Sequence, residues 1–549
     1  MKLSSLSKTS LLLVVCFAAD KVLAILRQLI IAWQFGLSDE LDIFNIANNL
    51  PDMLFILISG GAMAMVVIPV LTDVIEKKTI ADSWRVFSTI LNLTFAASFF
   101  LAALIWIFAE PIVTSEFGIA PGFGPAARTS VIRLMRLNLI STLIFSVSGL
   151  FMGALQANRR FLLPAVAPLF YNLGQIFGAV VLAPEAGFSL GSASLPALGL
   201  GIDGLAYGVI IGAVMYSLIQ LPGLLRLGFR WSPRFELRDE NVRRMLRIFV
   251  PRVLTVFFVQ LIFIFRDNFA SRLQPGAVSA LSYSYMFQQL PETLIGTALG
   301  TALLPSLSLF ISERDAERFA AAFSKTVRLI IALTFGIAVI MSVGLAPVVA
   351  FALKLDGETT GMFMWTLTGF LAGLTGHCLL EVANRSFYAQ QDAASPFFAT
   401  VLNFGLFIAL GYLLSRTIGV AGISFSDSLA FTVQALVLII WLRVDPSERN
   451  RRLVRLNPFR ALNHGGADGV GAVSVRVERP GGTILRSALG ALVTGALLWV
   501  FMSHGGTVLS GLSLSGEMLN LVKSILGMAG ALVVYTFFIL PELRFLKTL

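Results

Sequence analysis

The sequence predicts an all-α integral membrane protein: about fourteen transmembrane helices, forming two pseudo-symmetric six-helix lobes plus two C-terminal helices. Three observations predict it. Of the 549 residues 56% are hydrophobic and only 13% charged, with mean hydropathy +0.84, a composition no soluble domain can carry. Fourteen apolar segments each reach the ~20 residues that a helix needs to cross a bilayer. A polar motif inside one apolar run then occurs twice. Asn48-Asn49-Leu50-Pro51-Asp52 is answered 240 positions later by Gln288-Gln289-Leu290-Pro291-Glu292: two amides, Leu, Pro, acid.

The segments, in order, are 10–34, 43–74, 85–109, 129–156, 162–183, 201–225, 246–271, 278–310, 322–352, 361–389, 396–415, 419–442, 484–504 and 518–541. The first imitates a signal peptide, with Lys2 and Lys8 before Leu11 to Ala19. Asp20 and Lys21 interrupt the run, but it resumes through Trp33, and Val15 before Cys16 does not suit a lipoprotein cleavage site, so it reads as a retained first helix. Basic residues gather in alternate loops: Lys77, Lys78 and Arg85; Arg159 and Arg160; Arg226 to Arg247; Arg314, Arg318 and Lys325; Arg443 to Arg486. The opposite loops hold little beyond Arg128, Arg272, Lys354 and Arg416. The positive-inside rule therefore predicts both termini in the cytoplasm.

A second repeat supports the first. Ala157 to Pro164 and Ala389 to Pro396 have the same spacing, each leaving one segment and entering the next. Segments 1–6 thus match 7–12 in parallel order. The predicted organisation is a six-helix lobe over 1–225, a basic linker at 226–245, a second lobe over 246–442, a Gly-rich linker at 443–483 and a helix pair over 484–549.

Each motif lies on a helical polar stripe. Asp42, Asn45, Asn49 and Asp52 fall within about 80° at ~100° per residue. A mid-helix proline kinks the rod and frees a carbonyl, which lipid tolerates only where protein or a wet cavity faces it. One such helix is explained by buried amides acting as glue between helices. A matched pair points to the two halves of a transporter around one cavity.

Charges inside membrane spans cost ~2.5–3.5 kcal/mol each on insertion scales, so each needs a reason. The first segment carries Asp20, Lys21, Arg27 and Gln28; the seventh carries Arg252, Gln260, Asp267 and Ser271 on one face, with Arg266 turned away. Lys21, Arg27 and Arg252 suit a cationic cavity for an anionic headgroup, since guanidinium grips phosphate oxygens bidentately. The alternative is ion pairing of Asp20 with Arg27, and of Asp267 with Arg252 or Arg266. In the tenth segment His377, Glu381 and Arg385 stand at i, i+4, i+8, and that spacing explains Glu381–Arg385 as a pair. Arg133 and Arg136 read as snorkelling to the interface.

Several functions are excluded. The net charge of +10 has no basic, aromatic-interleaved soluble domain to carry it to nucleic acid. Cys16 and Cys378 sit in apolar runs, and His377, His464 and His504 are scattered, so no disulfide or metal framework is expected. No P-loop, Gly-x-Ser-x-Gly or His-Glu-x-x-His occurs, and no catalytic residue is assigned. A membrane-embedded glycan transferase would need acidic or His groups on large outer loops. A passive scaffold would leave the paired polar kinks unexplained.

At the level of motifs the sequence resembles the MurJ/MviN lipid II flippases of the multidrug/oligosaccharidyl-lipid/polysaccharide exporter superfamily. Asp20-Lys21 to Arg27-Gln28, then Phe35-Gly36 and Asp42, is similar to the family's first-helix pattern; Leu50-Pro51-Asp52 stands for its Leu-Pro-Asn. Asn158-Arg159-Arg160-Phe161 with Pro164, Ala298-Leu299-Gly300-Thr301 with Leu304-Pro305-Ser306-Leu307, and Phe387-Tyr388 with Asp392 and Pro396 are similar to its later turns and eighth span. Basic positions of the family are here Phe55, Ile56 and Met286, and its Ala-Glu-Gly is Ser59-Gly60-Gly61.

The resemblance implies two lobes in a V around a central cavity, in the bacterial inner membrane. It implies flipping of an undecaprenyl-diphosphate-linked peptidoglycan precursor, lipid II, to the outer leaflet by alternating access, in service of cell-wall biogenesis and cell shape. A flippase for another polyprenyl-linked glycan, or a multidrug exporter, is the alternative. Lys21 and Arg27 would hold the diphosphate; Asp42 and Asp52 would meet sugar hydroxyls or the empty cations; Asn49, Arg252, Gln289 and Glu292 would complete the headgroup cavity. No cofactor is expected, and the drive would be the membrane potential or a monovalent cation at Asp267 with Asn403. The expected partners are the lipid-linked glycan, membrane lipids and cell-wall synthesis proteins, with no nucleic acid.

Overall fold

In the computed structural model the described residues of each of the fourteen apolar segments fall mainly on helix. The structure describes residues 5–59, 68, 71–75, 80–187, 189–190, 193–194, 196–236, 238–390, 392, 394–443, 480–505 and 515–547. In chain order the helices are α1 Ser5–Phe35, α2 Asp39–Leu54, α3 Ile80–Ile107, α4 Ala109–Thr114, α5 Pro125–Ala157, α6 Leu162–Phe177, α7 Ile202–Leu218, α8 Leu221–Arg226, α9 Glu240–Ala270 and α10 Ala277–Glu292. They continue as α11 Ala298–Ser312, α12 Ala316–Gly344, α13 Ala346–Leu353, α14 Gly357–Ala372, α15 Leu374–Ala389, α16 Ala394–Ile418, α17 Val420–Trp441, α18 Gly481–His504 and α19 Gly516–Leu543. A two-residue antiparallel pair, Ser189–Leu190 with Ala193–Ser194, interrupts the loop after α6.

Helix dominates because hydrocarbon offers no partner to a free N–H or C=O. Among the described residues twelve helical stretches are long and apolar enough to cross a membrane. The other two predicted spans fall on α1 and α9, each 31 residues and thus long enough. Where helices begin outside the apolar runs, short polar side chains cap them. Ser38 accepts from Leu41 N (3.3 Å), Asp315 from Arg318 N (2.9 Å) and Asp356 from Thr359 N (2.8 Å).

Contacts divide the chain into two compact units, Met1–Val278 and Ser279–Leu549. The division lies beyond the basic linker at 226–245, because α9 and the loop after it are fastened within unit 1. Asn268 donates to Glu116 O (3.0 Å) and Gly118 O (2.5 Å), Arg272 pairs with Glu116 (2.7 Å), and Gly122 N donates to Ser271 Oγ (3.3 Å). The early part of that linker is also bound. Asn92 on α3 donates to Ser232 O (2.8 Å) and Arg234 O (2.9 Å) and accepts from Trp231 Nε1 (2.8 Å). Beneath it lies a core of Trp84, Phe87, Ile90, Leu150, Phe151, Leu155 and Phe229.

The duplicated motifs share a backbone device. Pro51 lies inside α2, which passes directly into a π-helical turn, Phe55–Ser59; Pro291 lies inside α10, which passes directly into the π turn Thr293–Thr297. Proline supplies no N–H and its ring crowds the preceding turn, so the ladder widens nearby. The second repeat also holds locally. Pro164 and Pro396 are each the third residue of their helices, α6 and α16, where the missing N–H has no intrahelical partner anyway. The helices that follow, α7 and α17, start from Gly201 (φ 55°) and Gly419 (φ 64°), in backbone that side chains disfavour.

Small residues let helices approach within each unit. In unit 1, Gly174 on α6 and Gly178, which opens the π turn directly after it, abut Gly204, Gly208 and Gly212 on α7. In unit 2, Gly369 and Gly373 of the α14 segment and Gly376 of α15 meet Ser424, Ser428 and Thr432 of α17. The C-terminal pair α18–α19 docks on α12 through Ala332, Ile340, Leu498, Ala531, Tyr535 and Ile539. Tyr535 Oη donates to Ala332 O (2.7 Å), Ser524 Oγ donates to Gly344 O, and Glu542 accepts from Arg486 (2.6 Å) and Thr483 (3.1 Å).

Candidate functional site: a polar kink in each unit

In unit 1 the site forms where α1, α2, α5 and α6 meet. Asp20 and Arg27 lie two turns apart on α1, and they do not pair directly. Asn172 of α6 stands between them: Arg27 Nη1 donates to Asn172 Oδ1 (2.9 Å), and Asn172 Nδ2 donates to Asp20 Oδ1 (2.8 Å). The neutral bridge sets the guanidinium's orientation without an acidic group in direct contact. Arg27 Nε is buried without a partner, so the fork keeps unused donors. Asp52, just past Pro51, is exposed and feels the Arg27 charge, and Tyr171 lies in the field of both. Lys21 is exposed on α1 beside Asp20.

The kink itself is braced from α5. Asn138 Nδ2 donates to Asn48 Oδ1 (2.8 Å), Asn48 Nδ2 to Phe44 O (2.9 Å), and Thr142 Oγ1 to Pro51 O (3.1 Å). Phe55, where the resembling family has a basic residue, packs its ring against Phe145 (5.0 Å), which also meets Tyr171 (5.1 Å). It contributes aromatic packing in place of charge.

Two of the residues expected in the headgroup cavity have partners on neighbouring helices. Asp42 is 1% exposed and accepts from Val278 N (3.3 Å) in the first turn of α10, a capping position. Asn49 donates to Asp267 Oδ2 (2.6 Å) and to Phe263 O (3.4 Å), holding α9 against α2. Periodicity put all four polar groups on one face correctly, but a face of about 80° is wide enough to meet two neighbours. Arg266, expected to turn away, is buried beside Asp267 (3.5 Å) with its guanidinium over Phe263 (4.8 Å). Arg252 lies in α9, but its side chain falls outside the described residues. Arg133 and Arg136 have local partners, Asp203 (3.0 Å) and the Trp106 carbonyl (3.2 Å).

In unit 2 the equivalent kink carries different chemistry. Gln289 is exposed, and Glu292 is partly buried just after Pro291. Glu292 Oε1 stands 3.9 Å from His377 Nδ1 on α15, and His377 Nε2 is 3.0 Å from Asp427 Oδ2 on α17. The imidazole stacks on Phe431 (4.1 Å, 14°). Glu381 and Arg385 pair in the C-terminal half of α15, as their spacing predicts, and Arg385 reaches Thr301 (3.3 Å). Asn403 donates to Gln434 Oε1 (2.7 Å) on α17, while Asp267 belongs to unit 1, so each has its own local partner. Among the described residues no group of His, Cys, Asp or Glu is arranged to hold a metal ion.

Sequence reasoning missed Asn172, Asn138 and Asp427. Asp427 had a visible signal, being the single ionisable residue in its span. Asn172 had only a weak one, as one of two amides, with Gln175, in a largely apolar helix.

Comparison with known proteins agrees with this architecture. Residues 31–457 match the family model described as Lipid II flippase MurJ. The lipid II flippase MurJ of Burkholderia cenocepacia is 28% identical over 437 residues, 77% of this chain and 81% of that protein. The probable lipid II flippase MurJ of Haemophilus influenzae is 26% identical, over 76% of this chain and 82% of its own length. Among solved structures, a lipid II flippase MurJ in an inward closed conformation is similar over 97% of this chain and all of its own, with TM-score 0.73 at 18% identity. An inward-facing multidrug resistance MATE family transporter of the MOP superfamily is similar over 83% of the chain, with TM-score 0.61 at 16% identity. With paired proline kinks, helical units of transporter type and a family model matched across most of its length, the chain belongs to the lipid II flippase MurJ family.

Proposed function

We propose that this protein flips an undecaprenyl-diphosphate-linked peptidoglycan precursor, lipid II, from the inner to the outer leaflet by alternating access, as a transporter and not a catalyst. The observation that carries the reading is the Asp20–Asn172–Arg27 bridge. It holds a guanidinium inside a membrane unit with donors left over, which is what a diphosphate requires. Lys21 adds a point charge next to it, and exposed Asp52 balances the cations when no substrate is bound. Gln289 and Glu292 offer acceptors and donors to sugar or peptide groups from the second kink. The basic loops support an orientation with both termini in the cytoplasm, and membership of the flippase family supports the bacterial inner membrane. The membrane potential, ~2.3 kcal/mol per charge per 100 mV, would return an unloaded cationic site.

The test is depletion of the resident lipid II flippase in a bacterium expressing this chain, paired with translocation of fluorescent lipid II by the purified protein in liposomes. Rescue of growth and translocation above protein-free liposomes are expected. Translocation of a different polyprenyl-linked glycan, or efflux of a cationic drug, with none of lipid II, would replace this reading.

A further inference from the structure

The Glu292–His377–Asp427 trio has no role in gripping a diphosphate, since two of its three members are acids. It lies within unit 2, on three separate spans. His377 is 2% exposed and Asp427 5%, while the Glu292 side chain keeps 17% of its surface, so Glu292 is the mouth. We infer that Glu292, His377 and Asp427 form a proton-binding site whose occupancy is coupled to movement of the kinked helix α10. The inference rests on the flippase reading for its transport consequence, but the site itself does not.

The geometry argues for a proton in three ways. An imidazole with a carboxylate at each nitrogen has a complete set of partners only as imidazolium, because both nitrogens must then donate. With the ring protonated and both acids ionised, the trio carries one net negative charge in a low-dielectric span; one further proton makes it neutral. The Phe431 ring face lies flat on the imidazole at 4.1 Å, a position that favours a cationic ring. Glu292 Oε2 is buried without a partner, leaving an oxygen for that proton.

The link to movement is the 3.9 Å gap. It is an ion-pair distance, and a hydrogen bond from Nδ1 requires about 2.7–3.2 Å. A shift of ~1 Å closes it. Glu292 directly precedes the π turn Thr293–Thr297, where the regular α-helical hydrogen-bond ladder is interrupted. Gly296 in this turn sits against Cys378, the residue after His377, so the turn packs on the helix that carries the imidazole. A proton on Glu292 removes the attraction and lets the gap widen; its loss draws the turn toward His377. The proton enters from one aqueous face and leaves to the other, with no bond otherwise changed.

Neighbouring elements contribute few competing charges. On α15 these are Cys378, Glu381 and Arg385, the last two paired; α17 has Asp427 alone, α11 none and α14 only Glu358 in its first turn. On α12 the charges Glu317, Arg318, Lys325 and Arg328 all lie in its first half, and Arg416 closes α16.

Two measurements on the full-length protein decide it. Infrared difference spectra, taken on lowering the pH from mildly alkaline to mildly acidic, should show a carboxylic-acid carbonyl band that Glu292→Gln removes and that His377→Gln or Asp427→Asn displaces. In liposomes holding fluorescent lipid II, a gradient of one pH unit should change the wild-type distribution ratio about tenfold per coupled proton, and His377→Gln should abolish that response. A spectrum unchanged by Glu292→Gln overturns the site. Wild-type translocation indifferent to the gradient overturns the coupling. Absence of any lipid II translocation refutes the flippase reading and the transport consequence with it, while the infrared band still decides the site.

Discussion

The two units use the same backbone device for opposite charges. Each has a proline inside a polar-faced helix, a π turn directly after it and an acid just past the proline. In unit 1 that acid, Asp52, faces the field of a guanidinium held by an amide. In unit 2 the acid, Glu292, faces an imidazole held by a second acid. The two units share the hinge and differ in the groups around it. A kink is a backbone property set by one residue, whereas charge at the kink depends on side chains from other helices, which are free to change separately.

The largest expected effect breaks the comparison on its unit 1 side. Arg27→Ala should reduce lipid II translocation roughly a hundredfold or more, since two charge-assisted hydrogen bonds contribute about 1.5–3 kcal/mol each. Asn172→Ala should lose a large part of that, by freeing Arg27 to collapse on Asp20. If Asn172→Ala at matched expression translocates like the wild type, the bridge has no part in function.

The next prediction sharpens what the units share. Gly201 and Gly419 both start a helix at positive φ, and a Cβ added at either would meet nothing within 4 Å. The penalty of Gly→Ala is therefore backbone strain alone, about 1–2 kcal/mol at each site. Unfolding of the two variants in detergent should show equal losses. A loss at one site only would mean the matched turns are a coincidence.

A smaller effect belongs to unit 2 alone. Tyr535→Phe removes the hydrogen bond to the Ala332 carbonyl but keeps the ring against Gly336, and should destabilise the protein by about 1 kcal/mol. Thermal unfolding of the variant measures it; no change would show that water takes over the carbonyl.

The smallest concerns Asp356, outside the spans at the start of α14. Its hydrogen bonds from Thr359 hold its carboxyl below the usual carboxylate range. A carboxyl lowered on folding stabilises the folded state above its unfolded value, and that contribution is lost as pH falls through the folded one. Asp356→Asn should remove this slight acid sensitivity without other change. A variant with an identical acid profile would mean the cap is frayed in solution.

The segments were legible because apolar length is a strong signal and lipid leaves helix as the single local answer. The kinks were legible from proline; the π turns were not, since the residues that form them, Phe55–Ser59 and Thr293–Thr297, are unremarkable in composition. Arg27 was readable as a charge that needs a reason. The partners of Asp42 and Asn49, Val278 and Asp267, were not legible, because periodicity fixes the face a residue lies on but not what faces it. His377 was noted on its own helix, yet its partner Asp427 is 50 residues away, a relation no local pattern encodes.

The docking of α18 and α19 on α12 has a consequence for how the chain must be connected. A buried tyrosine, a serine–carbonyl bond and an acid shared by Arg486 and Thr483 make the helix pair a bound ligand of α12 as much as a continuation of the polypeptide. Helices so fastened need no covalent join to stay together; a join only raises the local concentration of one piece near the other. Two chains, 1–443 and 480–549, made together in one membrane should find each other and purify as a complex, held by the same contacts that fasten them when joined.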